Sequence, residues 1–415
     1  MSVARLRNQE PAMRTRPFSS VLGAAPIGLA LAVALLGAAC QDDAGPTGPV
    51  GDDDGTPVEP GDEWDVKLAD RQVDYNAALR IASLRLTGEL PILADIKALG
   101  SAANLAEAKA IYEATVRAYM DPAHPVYGPR FARMMVKMWR DTFKMGGSAM
   151  LETAPVFAAQ LTVENRPYAE MFTATAGTCP TFNGGTGAFT AANCDNGVAT
   201  HAGILTNPGV QAHFFSNLAF RRVRFVQETF DCTAFPAELN GTPTDIGAVE
   251  PYQSPWPFDS IAGATNGGTI NFLDTSAVVC AKCHSTMNHL APLFANFDDA
   301  GQLKGTIQVK TPNDGAPTAL MTDWLPAGQT TAWRFGAPAA DLPALGQAMA
   351  ADPRVAECQV ARLWNFAMGA SDIVDTLSIV PSETIAAQVT AFQSGGGKLR
   401  DALYSVFTAD DFVKF

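Results

Sequence analysis

Charge is scarce in this chain of 415 residues. Asp, Glu, Lys and Arg make up 17% of it, against about 25% in an average soluble protein. Basic residues are the scarcer kind, 29 against 42 acidic, for a formal net charge of −13. That deficit argues against nucleic acid as a partner, because neutralising phosphates needs a Lys/Arg surplus. Low charge beside 47% apolar residues also excludes a disordered acidic protein, which would be charge-rich and apolar-poor. Internal repeats are absent and alternating strand patterns are few, which leaves a mainly α reading. At about 100–200 residues per domain the length corresponds to two or three folded units. Histidines number only 5, and the cysteine count, 7, is odd, so each cysteine needs its own account.

The N-terminus accounts for one cysteine. Arg5, Arg7, Arg14 and Arg16 precede an uncharged run from Val21 to Ala39, the layout of a secretory signal. The run closes on Leu36-Gly37-Ala38-Ala39-Cys40. Small residues directly before a cysteine resemble a bacterial lipobox, which implies acylation of Cys40 as the first residue of the mature chain. A membrane-spanning anchor is the competing reading, since about 19 uncharged residues suffice for a span; Gly23, Pro26, Gly28 and Gly37 weigh against it. Acyl chains would hold the protein at a bilayer surface, in the periplasm or on the cell surface. Gln41 after Cys40 is compatible with the outer membrane. Residues 41–63 contain eight acids and no base among Gly and Pro, and such a segment extends rather than folds. It reads as a tether or a solvated tail. Without residues 1–39 the net charge is −16, half of it in the tether.

Helical spacing runs from Val73 to Leu86 and stops at Gly88; further helices are expected over Leu90–Leu99 and Leu105–Met120. Phe131, Met134, Met135, Met138 and Trp139 share a face of a helix expected to start after Pro129 and to stop at Gly146-Gly147. A methionine stripe of this kind is core packing or, alternatively, a haem-facing surface. Asn207–Leu218 and Phe220–Phe230 read as helices, as do stretches within 342–369 and 382–415. Residues 236–279, rich in Pro and Gly, read as a long irregular insertion, and such loops are usually functional or mobile.

Cys280-Ala281-Lys282-Cys283-His284 is the sharpest feature. Cys-x-x-Cys-His is the attachment signature of c-type haem. Two thiols one helical turn apart can add to the two vinyl groups on one haem edge, and the adjacent histidine then ligates iron. By composition the motif arises by chance in about one chain per thousand of this length. Zinc is a competing reading that needs about four N/S ligands, and no second closely spaced cysteine pair exists. A thioredoxin-like redox pair needs a preceding strand in a βαβ unit, for which Thr275–Val279 offers a short strand at most. For the second axial ligand, Met321, in a loop before Trp324-Leu325-Pro326, is favoured. His201, His213 and an open position stay as alternatives. Cys179 and Cys194 flank a Gly-rich loop and are expected to pair, which leaves Cys232 with Cys358; free buried thiols are the alternative. An exported protein permits disulfides.

Several segments carry a family likeness: Leu84-Arg85-Leu86-Thr87-Gly88-Glu89-Leu90-Pro91, Tyr127-Gly128-Pro129-Arg130-Phe131 through Asp141, Asn165-Arg166-Pro167-Tyr168, Ala202–Thr206 with Arg222–Cys232, and Cys280 to Gly301 with Met287 and Asn296-Phe297-Asp298. The helix with Cys358 and Phe366-Ala367-Met368-Gly369 continues it. Over most of residues 75–415 the chain resembles the planctomycete-type cytochrome c-like proteins, exported bacterial proteins with one such haem motif. Asn288-His289 stands where that family often has Asp-Pro, and Ala370 where it often has arginine. The resemblance implies one covalent haem c, held by Cys280 and Cys283 and ligated by His284.

The expected organisation is a signal peptide over 1–39, a tether over 40–63, an N-terminal helical domain over 64–176, a disulfide-containing irregular segment over 177–279 and a haem-binding module with C-terminal helices over 280–415. The fold class expected is mainly α, a helical domain with an embedded cytochrome c-like haem module and a long irregular insertion. The function expected is electron transfer to an unidentified redox partner protein. A haem-dependent oxidoreductase acting on peroxide or oxygen is one alternative. A surface binding protein with structural haem, suggested by Tyr252, Trp256 and Phe258, is another.

Overall fold

The computed structural model describes residues 67–234, 278–309, 328–334, 337–370 and 380–415, with short pieces at 265–266, 269–270, 321, 324–325, 372–373 and 376–377. The expected signal segment, Cys40, the tether and most of the 236–279 insertion, including Tyr252, Trp256 and Phe258, lie outside the described residues.

Helices begin where a short polar side chain can accept the orphan N–H groups of a first turn. Asp74 does this for α1 (Tyr75–Thr87), which stops at left-handed Gly88. After α2 (Leu93–Gly100), Asn104 caps α3 (Leu105–Tyr119). The next helix, α4 (Tyr127–Phe143), starts two residues before Pro129 rather than after it. The Nδ1 atom of His124 accepts the N–H groups of Val126 and Tyr127 at 3.2 and 3.1 Å, so a histidine serves as the cap. Ser148 caps α5 (Ala149–Val163), a helix that apolar spacing does not reveal, because it is apolar all round and contains Pro155.

The short α6 (Glu170–Thr173) leads to a hairpin of β1 (Thr181–Asn183) and β2 (Ala188–Thr190). Asn207 caps α7 (Pro208–His213). The helix stops at His213, short of the expected Leu218, and left-handed Leu218 and Ala219 turn the chain into α8 (Phe220–Phe230). Backbone hairpin β3–β4 (Thr265–Asn266, Thr269–Ile270) precedes α9 (Val278–Phe294). Hairpin β5–β6 (Ala332–Trp333, Ala337–Pro338) precedes α10 (Leu342–Ala351) and α11 (Pro353–Met368), capped by Asp341 and Asp352. Hairpin β7–β8 (Asp372–Ile373, Thr376–Leu377) leads to α12 (Ser382–Ser394), α13 (Leu399–Phe407) and α14 (Asp410–Val413). The architecture is mainly α, with two-stranded antiparallel hairpins as its only sheets among the described residues.

Val66–Phe415 form one compact unit, and its hydrophobic core runs from Tyr75 to Val413. Phe131, Met135, Met138 and Trp139 are buried in it, so the methionine stripe packs the core. Phe143, Phe172, Phe225 and Phe230 meet edge to face with centroids 4.9 to 6.0 Å apart. Burying each such ring stabilises by about 1.5–3 kcal/mol. Tyr112 donates its hydroxyl to the Phe407 carbonyl at 2.6 Å, joining α3 to α13. The ends of the unit close on each other: Gln72 and Phe415 exchange both backbone bonds at 2.9 Å, and Asp74 N–H reaches Val413 O at 2.9 Å. Among the described residues no helix is long and apolar enough to cross a membrane.

Candidate functional site

Positions 280, 283 and 284 occupy the first two turns of α9; their side chains lie outside the description. At 100° per residue, they share a stripe of the helix with positions 287, 291 and 294. Farther along it, Leu290, Ala291 and Phe294 are fully buried and Met287 is half-buried against the core. The motif thus opens a helix whose remaining turns are core.

A buried arginine fixes the far end of this helix. Arg222, on α8, has no exposed surface. Its Nη1 donates to the carbonyls of Phe294 and Phe297 at 2.8 and 3.1 Å. Its Nη2 donates to Asp298 O at 3.1 Å, and Nε to Gln211 O at 3.0 Å. A cation at a helix C-terminus satisfies its orphan carbonyls and complements its dipole. Burial lowers the guanidinium pKa to about 10, countered by the nearby Asp298 carboxylate, so the group stays charged at neutral pH. Sequence reasoning did not single out this residue. The signal was there: Arg222 stands three, four and seven residues before Phe225, Val226 and Thr229, all buried, a basic residue on an apolar face.

The same device recurs at the end of α8. Arg362 donates to Glu228 O and Thr229 O at 2.6 and 2.9 Å. One turn away on α11, Cys358 forms a disulfide with Cys232. The other disulfide joins Cys179 and Cys194, so both pairings are those expected. Beside Cys232, the buried Asp231 carboxylate lies 3.5 Å from both Arg334 and Arg354; burial raises its pKa against the pull of the two arginines.

With all four of these cysteines in disulfides, none is left as a thiolate for zinc. Among the described residues no group of three or more His, Cys, Asp or Glu could hold a metal. Histidine roles separate clearly. His201 is buried with Nδ1 3.3 Å from Thr206 Oγ1 and Nε2 3.2 Å from Cys194 O, so both ring nitrogens are engaged by protein. His213 is half-buried against Phe214, with its pKa lowered by burial and by Arg221. His289, buried on α9, donates Nδ1–H to Thr330 O at 2.8 Å; burial lowers its pKa to about 4.

Met321 is half-exposed and lines a cleft of about 800 Å³ with Pro292, Leu293, Leu325 and Leu342. Positions 292 and 293 lie on the side of α9 opposite positions 280, 284 and 287.

These features define a mainly helical protein in which a Cys-x-x-Cys-His sequence opens a helix whose later turns are buried and clamped. No family model matches the chain, and neither a curated protein nor a solved structure matches it.

Proposed function

We propose that this chain is an exported, lipid-anchored monohaem c-type cytochrome-like protein that transfers electrons, as its resemblance to the planctomycete-type cytochrome c-like proteins implies. The observation that carries the reading is Cys280-Ala281-Lys282-Cys283-His284 in the opening turns of a helix docked into the core. The residues fit the group on two counts. The donor set is that of haem c, and the two disulfides leave Cys280 and Cys283 as the remaining cysteines of the compact unit. Cys280 and Cys283 would hold the porphyrin and His284 would ligate iron. The haem supplies a one-electron couple, and the protein orients and shields it. Engagement of both His201 nitrogens speaks against that ring as the second ligand.

Haem staining after denaturing electrophoresis tests the proposal. Protein matured with a c-type attachment apparatus in the cell envelope should keep its haem, and Cys280→Ala with Cys283→Ala should lose it. A matured protein without covalent haem would overturn the reading. Carbon monoxide added to the ferrous protein separates electron transfer from the peroxide or oxygen alternative. An unchanged six-coordinate spectrum supports electron transfer, whereas rapid CO binding supports an open catalytic position. For the anchor, the mass of the mature N-terminus should report acylated Cys40.

A further inference from the structure

We infer that helix α2 and the segment leading into it are an interfacial docking element that seats the protein on a lipid bilayer. The inference rests on the lipid-anchor reading for its setting, and on the surface of α2 for its substance.

In α2 only Leu99 is buried. A helix lying on a globular protein normally turns polar residues outward. Here Leu90, Ile92, Leu93 and Ile96 are 58, 41, 64 and 45% exposed, and Leu105, at the start of α3, is 60% exposed. Large apolar residues exposed together, rather than singly, mark an interaction surface.

The charges in this element are arranged to suit lipid. Its one acid, Asp95, is turned inward: its Oδ2 accepts the hydroxyls of Tyr119 at 3.0 Å and Tyr127 at 2.6 Å. Its one base, Lys97, is exposed. A lysine at the rim of an apolar face can extend its stem along the surface and place its ammonium among phosphates. Glu89, just before the segment, is paired with Arg130 at 2.9 Å. An outward face of leucine and isoleucine with a single lysine matches the boundary between headgroups and acyl chains.

Chain length favours a bilayer as the occupant. Between Cys40 and Lys67 lie 26 residues, whose contour is at most about 90 Å. From the entry of that segment, α1 carries the chain about 20 Å to α2. An acylated Cys40 therefore keeps α2 within reach of the membrane. The tether and the folded unit are both net acidic and repel anionic lipid, so attachment through this face is apolar and resists salt.

Flotation of the mature chain carrying Cys40→Ser with phosphatidylcholine/phosphatidylethanolamine vesicles tests this without any acyl chain. The protein should float, in low and high salt alike. Leu93→Glu with Ile96→Glu, both at exposed positions, should lower the bound fraction about tenfold with an unchanged far-UV spectrum. Met150→Glu, at an exposed apolar site elsewhere, should leave it unchanged. A chain that stays at the bottom of the gradient overturns the inference. So does a dimer in light scattering that the double variant dissolves, which would make a second copy the occupant. The N-terminal mass is measured separately on the unmutated chain, so failure of the anchor reading and failure of this inference are told apart.

Discussion

Arg222 offers the most direct test of how α9 is held. Arg222→Met keeps the apolar stem and removes the guanidinium. Of its four carbonyl partners, Phe294 and Asp298 also accept backbone N–H groups, from Phe297 at 3.3 Å and Gly301 at 3.2 Å. The carbonyls of Gln211 and Phe297 lose their donor. A buried polar group left unsatisfied costs about 1–3 kcal/mol, so two give about 2–6 kcal/mol. Relief from burying a charge returns part of this, and a net loss of about 3 kcal/mol is expected. Arg222→Lys keeps the charge but not the planar fork that reaches carbonyls on both sides; about 2 kcal/mol is expected. Urea unfolding of both variants beside the unmutated chain measures the losses. Native-state hydrogen exchange should show the deprotection concentrated at the C-terminal end of α9. A methionine variant within about 1 kcal/mol of the parent would refute the clamp.

Replacing Cys232 and Cys358 together by alanine opens a loop of 126 residues and should cost about 5 kcal/mol on the chain-entropy relation, read by chemical unfolding. His289 has an ordinary pKa near 6.5 when unfolded and about 4 when folded. Its contribution is present above pH 6.5 and is lost as pH falls toward 4, by about 3 kcal/mol; His289→Gln should flatten that part of a stability–pH profile. Gly301 has φ +73°, and a Cβ there would lie 2.1 Å from the Pro208 carbonyl oxygen, so Gly301→Ala should cost about 3 kcal/mol in thermal or urea unfolding.

The helices legible in the sequence are those with one apolar face and a standard stop. α1 ends at Gly88 as read, because a left-handed glycine after an apolar stripe is a local signal. α5 was hidden because its burial on all sides leaves no period to detect, and Pro155 argues against a helix when tertiary packing is ignored. The early stop of α7 at His213 was hidden for a different reason: no glycine or proline stands between Phe214 and Leu218 to signal it. At the site, the motif and the Cys179–Cys194 pairing could be read from spacing, and Cys232 with Cys358 followed by elimination. The Arg222 clamp could not, because its acceptors are backbone carbonyls, which every residue possesses.

The pairing of residues 72–74 with 413–415 has a mechanical consequence. Tension arriving along the N-terminal segment meets the C-terminal residues 413–415 first, and loads three backbone bonds before it reaches α1. The fold thus has a lock just before its first long helix, α1. A protein fused after Phe415 would emerge beside that lock.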